Sequence, residues 1–185
     1  PDDPACPIRL QSIPQVDELT AAPEEMSDPC GEDKHSPVHG LVHRYPDRVL
    51  FLVNEMCAMY CRYCTRSRMV GDGERTLSME SYQKAFDYIR AHKEIRDVLI
   101  SGGDPLTLSD RVLEHIIQEV KSIEHVEFVR IGTRIPVTLP QRVTPQLISM
   151  LKKYSPVWMS IHFNHPLEIT PRVKQACDTI ADAGI

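Results

Sequence analysis

Three cysteines, Cys57, Cys61 and Cys64, fall within eight residues at intervals of four and three. Thiolates are soft ligands that suit zinc, copper(I) or iron–sulfur clusters. This spacing lets three sulfurs address one centre without a regular helix. A closed structural zinc site needs a fourth ligand, normally cysteine or histidine, and a closed 4Fe–4S cluster uses four cysteines. No fourth cysteine is nearby, while any of eight histidines could complete a zinc site from a distance. Three thiolates on a cubane would instead leave one iron open to a small molecule. Spacing alone therefore leaves two alternatives, a zinc- or cluster-binding module without catalysis and an open catalytic cluster. The remaining cysteines, Cys6, Cys30 and Cys177, are scattered. Clustering of this kind fits a metal site in a reducing compartment better than a disulfide scaffold. Cys177 reads as a small buried hydrophobe on a helix, and Cys6 and Cys30 carry no assigned role.

Other polar groups gain meaning only from where they sit. Ser101-Gly102-Gly103-Asp104 follows a short apolar run and by itself reads as a turn. Arg44, Tyr45 and Arg48 could bind a phosphate dianion through charge-assisted hydrogen bonds, or form a solvated charged turn. His162 closes another apolar run and reads equally well as a satisfied pocket histidine.

The elements that must position these groups follow from periodicity and caps. Residues 1–46 carry frequent prolines and acidic residues, which break regular elements and predict an irregular N-terminal arm. The continuous apolar run 49–53 predicts a strand buried on both faces. Ser78 can cap a helix bearing Met79, Tyr82, Phe86 and Ile89 on one side. Residues 98–100 predict a second strand. Ser109 or Asp110 opens a helix with Leu113, Ile116, Ile117 and Val120 along one face. Residues 128–131 and 157–163 predict two further strands. Thr144-Pro145 and Thr170-Pro171 each pair a capping hydroxyl with proline at the first helical position. About four βα units result, spaced as in βαβ repeats, which implies an α/β fold with a parallel sheet. An open doubly wound sheet and part of a (βα) barrel both fit. In either, functional residues gather where strands end. Ala183-Gly184 reads as a helix end and Ile185 as the start of a further strand, so the core 47–185 is expected to be an N-terminal portion of a longer barrel.

The chain of 185 residues is 42% hydrophobic and 25% charged, enough for one domain with a real core. Its formal net charge is −5, with cations dispersed, so no electrostatic footprint for nucleic acid or anionic membrane is present. No apolar run is long enough for a spanning helix and no signal-peptide pattern is evident. A cytoplasmic location is the default expectation.

The cysteine spacing resembles that of the radical S-adenosylmethionine superfamily, whose cluster loop follows the first barrel strand. Further motifs, in order, are similar to the lysine 2,3-aminomutase family: His43-Arg44-Tyr45-Pro46-Asp47-Arg48, Thr65-Arg66, Ser101-Gly102-Gly103-Asp104, Leu139-Pro140-Gln141-Arg142 and His162-Phe163-Asn164-His165-Pro166. That resemblance implies a partial (βα) barrel and an isomerase moving an amino group between the α and β carbons of lysine or glutamate. It implies three cofactors: a 4Fe–4S cluster, S-adenosylmethionine and pyridoxal phosphate. An electron from the cluster would cleave the sulfonium, and the resulting 5′-deoxyadenosyl radical would take hydrogen from the substrate.

The resemblance assigns roles position by position. Cys57, Cys61 and Cys64 match the cluster ligands. Tyr63, Gly102, Gly103, Asp104 and His162 match positions that meet S-adenosylmethionine. Arg44, Tyr45 and Arg48 match the group around pyridoxal phosphate. Arg66 matches the arginine holding the substrate carboxylate, and Asp28 an aspartate near the substrate amino group, which implies an arm folded over the site. The family's Schiff-base lysine is expected beyond Ile185, so no catalytic residue is assigned. The implied partners are a small amino-acid substrate and an electron donor for the cluster; a homo-oligomer is allowed. A relative acting on a lysine within a protein is the other enzymatic alternative.

Overall fold

The computed structural model describes residues 3–20, 22–71 and 77–185. Five strands form one sheet in chain order: β1 (Leu41–Tyr45), β2 (Arg48–Leu52), β3 (Asp97–Ser101), β4 (Phe128–Thr133) and β5 (Trp158–Ile161). β2 through β5 are parallel, with Leu50 beside Leu99, Leu99 beside Arg130, and Arg130 beside Trp158. This is the α/β class expected, and an arc of this kind is compatible with a partial (βα) barrel.

Four strands were predicted and five are present among the described residues. The extra one, β1, lies in the segment predicted as irregular arm. It pairs antiparallel with β2 through a turn at Pro46 and Asp47, placing Val42 opposite Leu50. Proline at the turn leaves the strand intact because it supplies no ladder donor there. Before β1 the described residues of this segment hold 3-10 turns at Arg9–Gln11, Val16–Leu19 and Asp33–His35.

The helices are α1 (Met79–Ala91), α2 (Asp110–Lys121), α3 (Ile135–Thr138), α4 (Pro145–Lys153) and α5 (Pro171–Asp182). Ser78, Ser109, Thr144 and Thr170 cap α1, α2, α4 and α5, each accepting from the backbone N–H three residues on. Ser109, not Asp110, is thus the cap of α2. One sheet face, carrying Val49, Phe51, Val98, Ile100, Val129 and Ile131, is buried against Phe86 and Ile89 of α1, Ile116 and Ile117 of α2, and Leu147 and Leu151 of α4. Met79 is exposed despite its predicted place in that stripe, and Ala85 is buried beside the other three residues. The opposite face is only partly covered. Leu50, Leu99 and Arg130 are half-buried there; of the run 49–53 predicted to be enclosed on both faces, only Leu50 departs, and Leu52 on its own face is buried. Toward the C-terminal ends this face carries Ser101, Gly132 and Ser160, whose small size leaves room for a cleft.

No helix among the described residues is long and apolar enough to cross a membrane.

Candidate active site

The loops after β2, β3, β4 and β5 meet over that open face. The cysteine loop is fastened to the glycine loop by a continuation of the β2–β3 pairing. Val53 N–H donates to the Ser101 carbonyl at 2.9 Å, Gly103 N–H to Asn54 at 2.7 Å, and Asp104 N–H to Met56 at 2.7 Å. The approach is so close that a methyl group on Gly103 would lie 2.4 Å from the Met56 carbonyl oxygen. Gly102 is equally tight against Asn54 and holds a φ of +129°, which only glycine adopts readily. These glycines therefore admit the chain's own cysteine loop.

A cleft of about 440 Å³ opens beside this junction, walled by Cys57, Cys61, Cys64, Tyr63, Gly102, Gly103, Arg134 and His162 among others. The three predicted thiols are thus brought to one wall. Among the described residues no three His, Cys, Asp or Glu side chains converge tightly enough to hold a single metal ion. Burial pushes the free Cys57 thiol up to about 12, aided by Asp104 and the two neighbouring cysteines.

Arg134, just after β4, lines the cleft and was absent from the sequence-based candidates. Its guanidinium is buried, donating to Cys61 Sγ at 2.9 Å and to the Tyr63 hydroxyl at 2.8 Å. Behind it stand Glu168, at 2.5 Å, and the side-chain amide oxygen Oε1 of Gln11 in the arm. Desolvation opposes the charge on Arg134, yet Glu168 and the adjacent sulfur and phenol hold it protonated more firmly than usual. A strand-end arginine was a legible signal, but its partners lie in three separate segments. Tyr63 also contacts Asn164 and meets the His162 ring edge-on at 6.2 Å.

Asp104 lines the cleft, but its carboxylate is spent internally. It accepts from Thr133 Oγ1 at 2.6 Å, from the Leu106 backbone N–H at 3.1 Å, and from those of Arg134 at 2.7 Å and Ile135 at 3.1 Å. Burial raises its carboxyl above the ordinary aspartate range, and these four donors oppose that push. Its evident work is to tie the β3 and β4 loops together.

A second cleft of about 350 Å³ lies alongside, walled by Arg44, Tyr45, Arg48, Arg130, Glu32 and Cys30. The predicted group Arg44, Tyr45 and Arg48 is brought together here. Arg44 Nη1 donates to the Cys30 carbonyl at 2.7 Å, and the Arg48 guanidinium stands 5.7 Å from the Tyr45 ring centre. Arg130 is committed to Asp97 through two bonds of 2.8 Å. No lysine lines either cleft among the described residues. Arg66 and Ser101 belong to the walls of both clefts, so the two spaces share a partition.

Asp28 is not in either wall. It accepts from the Asp33 backbone at 2.9 Å and pairs with Arg68 at 3.3 Å, and that backbone bond leads the causes that hold its carboxyl below the usual range. The acidic group that reaches Arg66 is Glu32, four residues later and absent from the sequence-based candidates.

A sequence profile described as the radical SAM superfamily matches residues 52–183. The chain is 56% identical over 185 residues to an L-lysine 2,3-aminomutase from Clostridium subterminale, covering all of this chain and 44% of that protein. It is 55% identical over 179 residues to an L-lysine 2,3-aminomutase of Methanococcus maripaludis, covering 97% of this chain and 41% of the relative. A glutamate 2,3-aminomutase of Clostridioides difficile is 49% identical over 185 residues, again covering all of this chain and 44% of the relative. The chain thus spans less than half the length of these relatives. A cysteine loop after the first parallel strand, fastened to a glycine loop beside a cleft, agrees with the profile match over most of the chain: the protein belongs to the radical SAM superfamily.

Proposed function

We propose that the chain serves an amino-acid 2,3-aminomutase that moves an amino group from the α to the β carbon of lysine or glutamate. The observation that carries the reading is the shared partition: Arg66 and Ser101 stand between a cleft lined by three thiols and a cleft lined by arginines. Two reagents bound in adjoining spaces could reach one substrate across such a wall.

Cys57, Cys61 and Cys64 would hold a 4Fe–4S cluster. Soft donors spread along one cleft wall suit a multi-iron group. The cluster, reduced by an external electron donor, and S-adenosylmethionine would together supply a hydrogen-abstracting radical. Tyr63 and His162 offer ring surfaces on the same cleft, and the buried Arg134 offers a cation to a carboxylate. Gly102 and Gly103 bring backbone to the cleft edge, where carbonyls can accept from an ammonium. In the adjoining cleft, Arg44, Tyr45 and Arg48 would hold the phosphate of pyridoxal phosphate, whose ring supplies electron delocalisation. The Arg66 guanidinium would hold the substrate carboxylate, a planar two-point task that lysine performs less well. On this reading the part of residues 1–46 that precedes β1 forms an arm over the core, while β1 itself joins the sheet of that core. Asp28 acts by docking the arm through Arg68 beside the substrate region.

Anaerobic reconstitution with iron and sulfide should give a brown protein with about four irons per chain. Addition of dithionite and S-adenosylmethionine should release 5′-deoxyadenosine, and the full-length protein with pyridoxal phosphate should convert α- to β-lysine or α- to β-glutamate. A colourless protein holding one zinc, or an intact cluster that never cleaves the sulfonium, would overturn the reading.

A further inference from the structure

Glu32 is buried, and its carboxylate takes one complete edge of the Arg66 guanidinium. Nε donates to Oε1 at 2.9 Å and Oε2 at 3.0 Å, while Nη2 donates to Oε1 at 2.7 Å. A guanidinium has a second edge, formed by Nη1 and Nη2, and among the described residues Nη1 donates to no protein group. That second edge remains for a ligand in the clefts whose wall Arg66 forms.

Glu32 is itself held from several directions. Gly31 before it has a φ of +63°, a left-handed turn in the chain. Asp28 and Asp33 on either side pair with Arg68 at 3.3 and 2.8 Å. The Cys30 carbonyl accepts from Arg44 at 2.7 Å. This short piece of the arm therefore bridges the cysteine loop and β1, and it holds the two arginines Arg44 and Arg66 in fixed relation.

We propose that Glu32 is a positioning residue for amino-acid recognition: by gripping the Nε edge of Arg66, it aims the free edge at the α-carboxylate of the substrate. The inference rests on the proposed role of Arg66 as the carboxylate holder. A long arginine left unrestrained must be ordered by each incoming ligand, and that ordering weakens binding. One already fixed by a buried carboxylate binds without that loss, and its planar fork selects a carboxylate over a neutral amide.

The test uses the full-length enzyme with its cofactors, without reductant so that no turnover occurs. Calorimetry measures the affinity for L-lysine or L-glutamate, whichever the enzyme isomerises, and for the matching α-carboxamide. Glu32→Ala should weaken the amino acid about tenfold or more while changing the carboxamide less than about threefold. Glu32→Gln, which keeps shape and one acceptor, should fall between, and serves if the alanine variant unfolds. In turnover, KM should rise more than kcat falls. Arg66→Lys should lose the same preference, and combining it with Glu32→Ala should add little more. Retained preference in both Glu32 variants, with loss in Arg66→Lys, would refute the role of Glu32 alone. Unchanged binding in Arg66→Lys would refute the underlying role of Arg66. Tighter amino-acid binding in Glu32→Ala would show Glu32 to be a competitor for Arg66 and would also overturn the proposal.

Discussion

Replacing Gly103 by alanine should detach the cysteine loop from the sheet. The added Cβ would sit 2.4 Å from the Met56 carbonyl oxygen and 2.7 Å from the Met56 N and C atoms, all of them backbone. A carbon needs about 3.3 Å from such an oxygen, so the loop must retreat by about 1 Å. No side chain can swing away to relieve this. The retreat stretches the Gly103 to Asn54 and Asp104 to Met56 bonds, both 2.7 Å. Overpacking of this kind costs about 1–3 kcal/mol, and two weakened hydrogen bonds about 1 kcal/mol each. A total loss of about 4 kcal/mol would lower Tm by about 10 °C in a chain of this size. Thermal unfolding followed by circular dichroism measures it, alongside iron content after anaerobic reconstitution. Gly132→Ala is the control on the same cleft wall, because its Cβ meets nothing nearer than two side-chain atoms at 3.5 and 3.6 Å, with the Ile100 carbonyl oxygen at 3.9 Å. The control should unfold within about 1 kcal/mol of the parent. If Gly103→Ala were as stable as the parent and took up the cluster normally, the close backbone approach could not be what holds the loop.

Cys61→Ala should abolish the brown colour and 5′-deoxyadenosine formation together; retained cluster binding would refute the ligand assignment. Arg62 ties the arm to the cysteine loop, donating to the Leu10 carbonyl at 2.9 Å and to Glu18 at 2.7 Å. With Glu18 partly solvated, Arg62→Ala should cost about 2 kcal/mol or less, and limited proteolysis should then cut the arm faster than the core. Glu168 carries an acid-dependent share of stability. Burial raises its carboxyl, but the Asn164 and His165 backbone donors and Arg134 outweigh that and hold it below the usual glutamate range. Its contribution is therefore complete above the unfolded glutamate pKa and lost as pH falls through the lower folded value. Glu168→Gln should be less stable by about 2 kcal/mol at pH 7, with the gap closing in acid, as urea titrations across pH 7 to 3 would record.

The sequence by itself determined what depends on near neighbours. The caps at Ser78, Ser109, Thr144 and Thr170 act over three residues, and the stripes of α1 and α2 over one or two turns, so both could be read from spacing. The cysteine loop was legible for the same reason, since its three donors lie within eight residues. Tertiary structure alone decided the rest. β1 was hidden because antiparallel pairing with β2 overrides the prolines around it. Glu32 was not among the candidates, because it reaches Arg66 across 34 residues. Asp104 matches a ligand-facing motif, but donors 29 to 31 residues away in the β4 loop occupy its carboxylate. Arg134 touches Cys61 across 73 residues and Gln11 across 123. Long-range charge pairs leave no periodic trace along a chain, because their partners meet only after the sheet has set where each loop emerges.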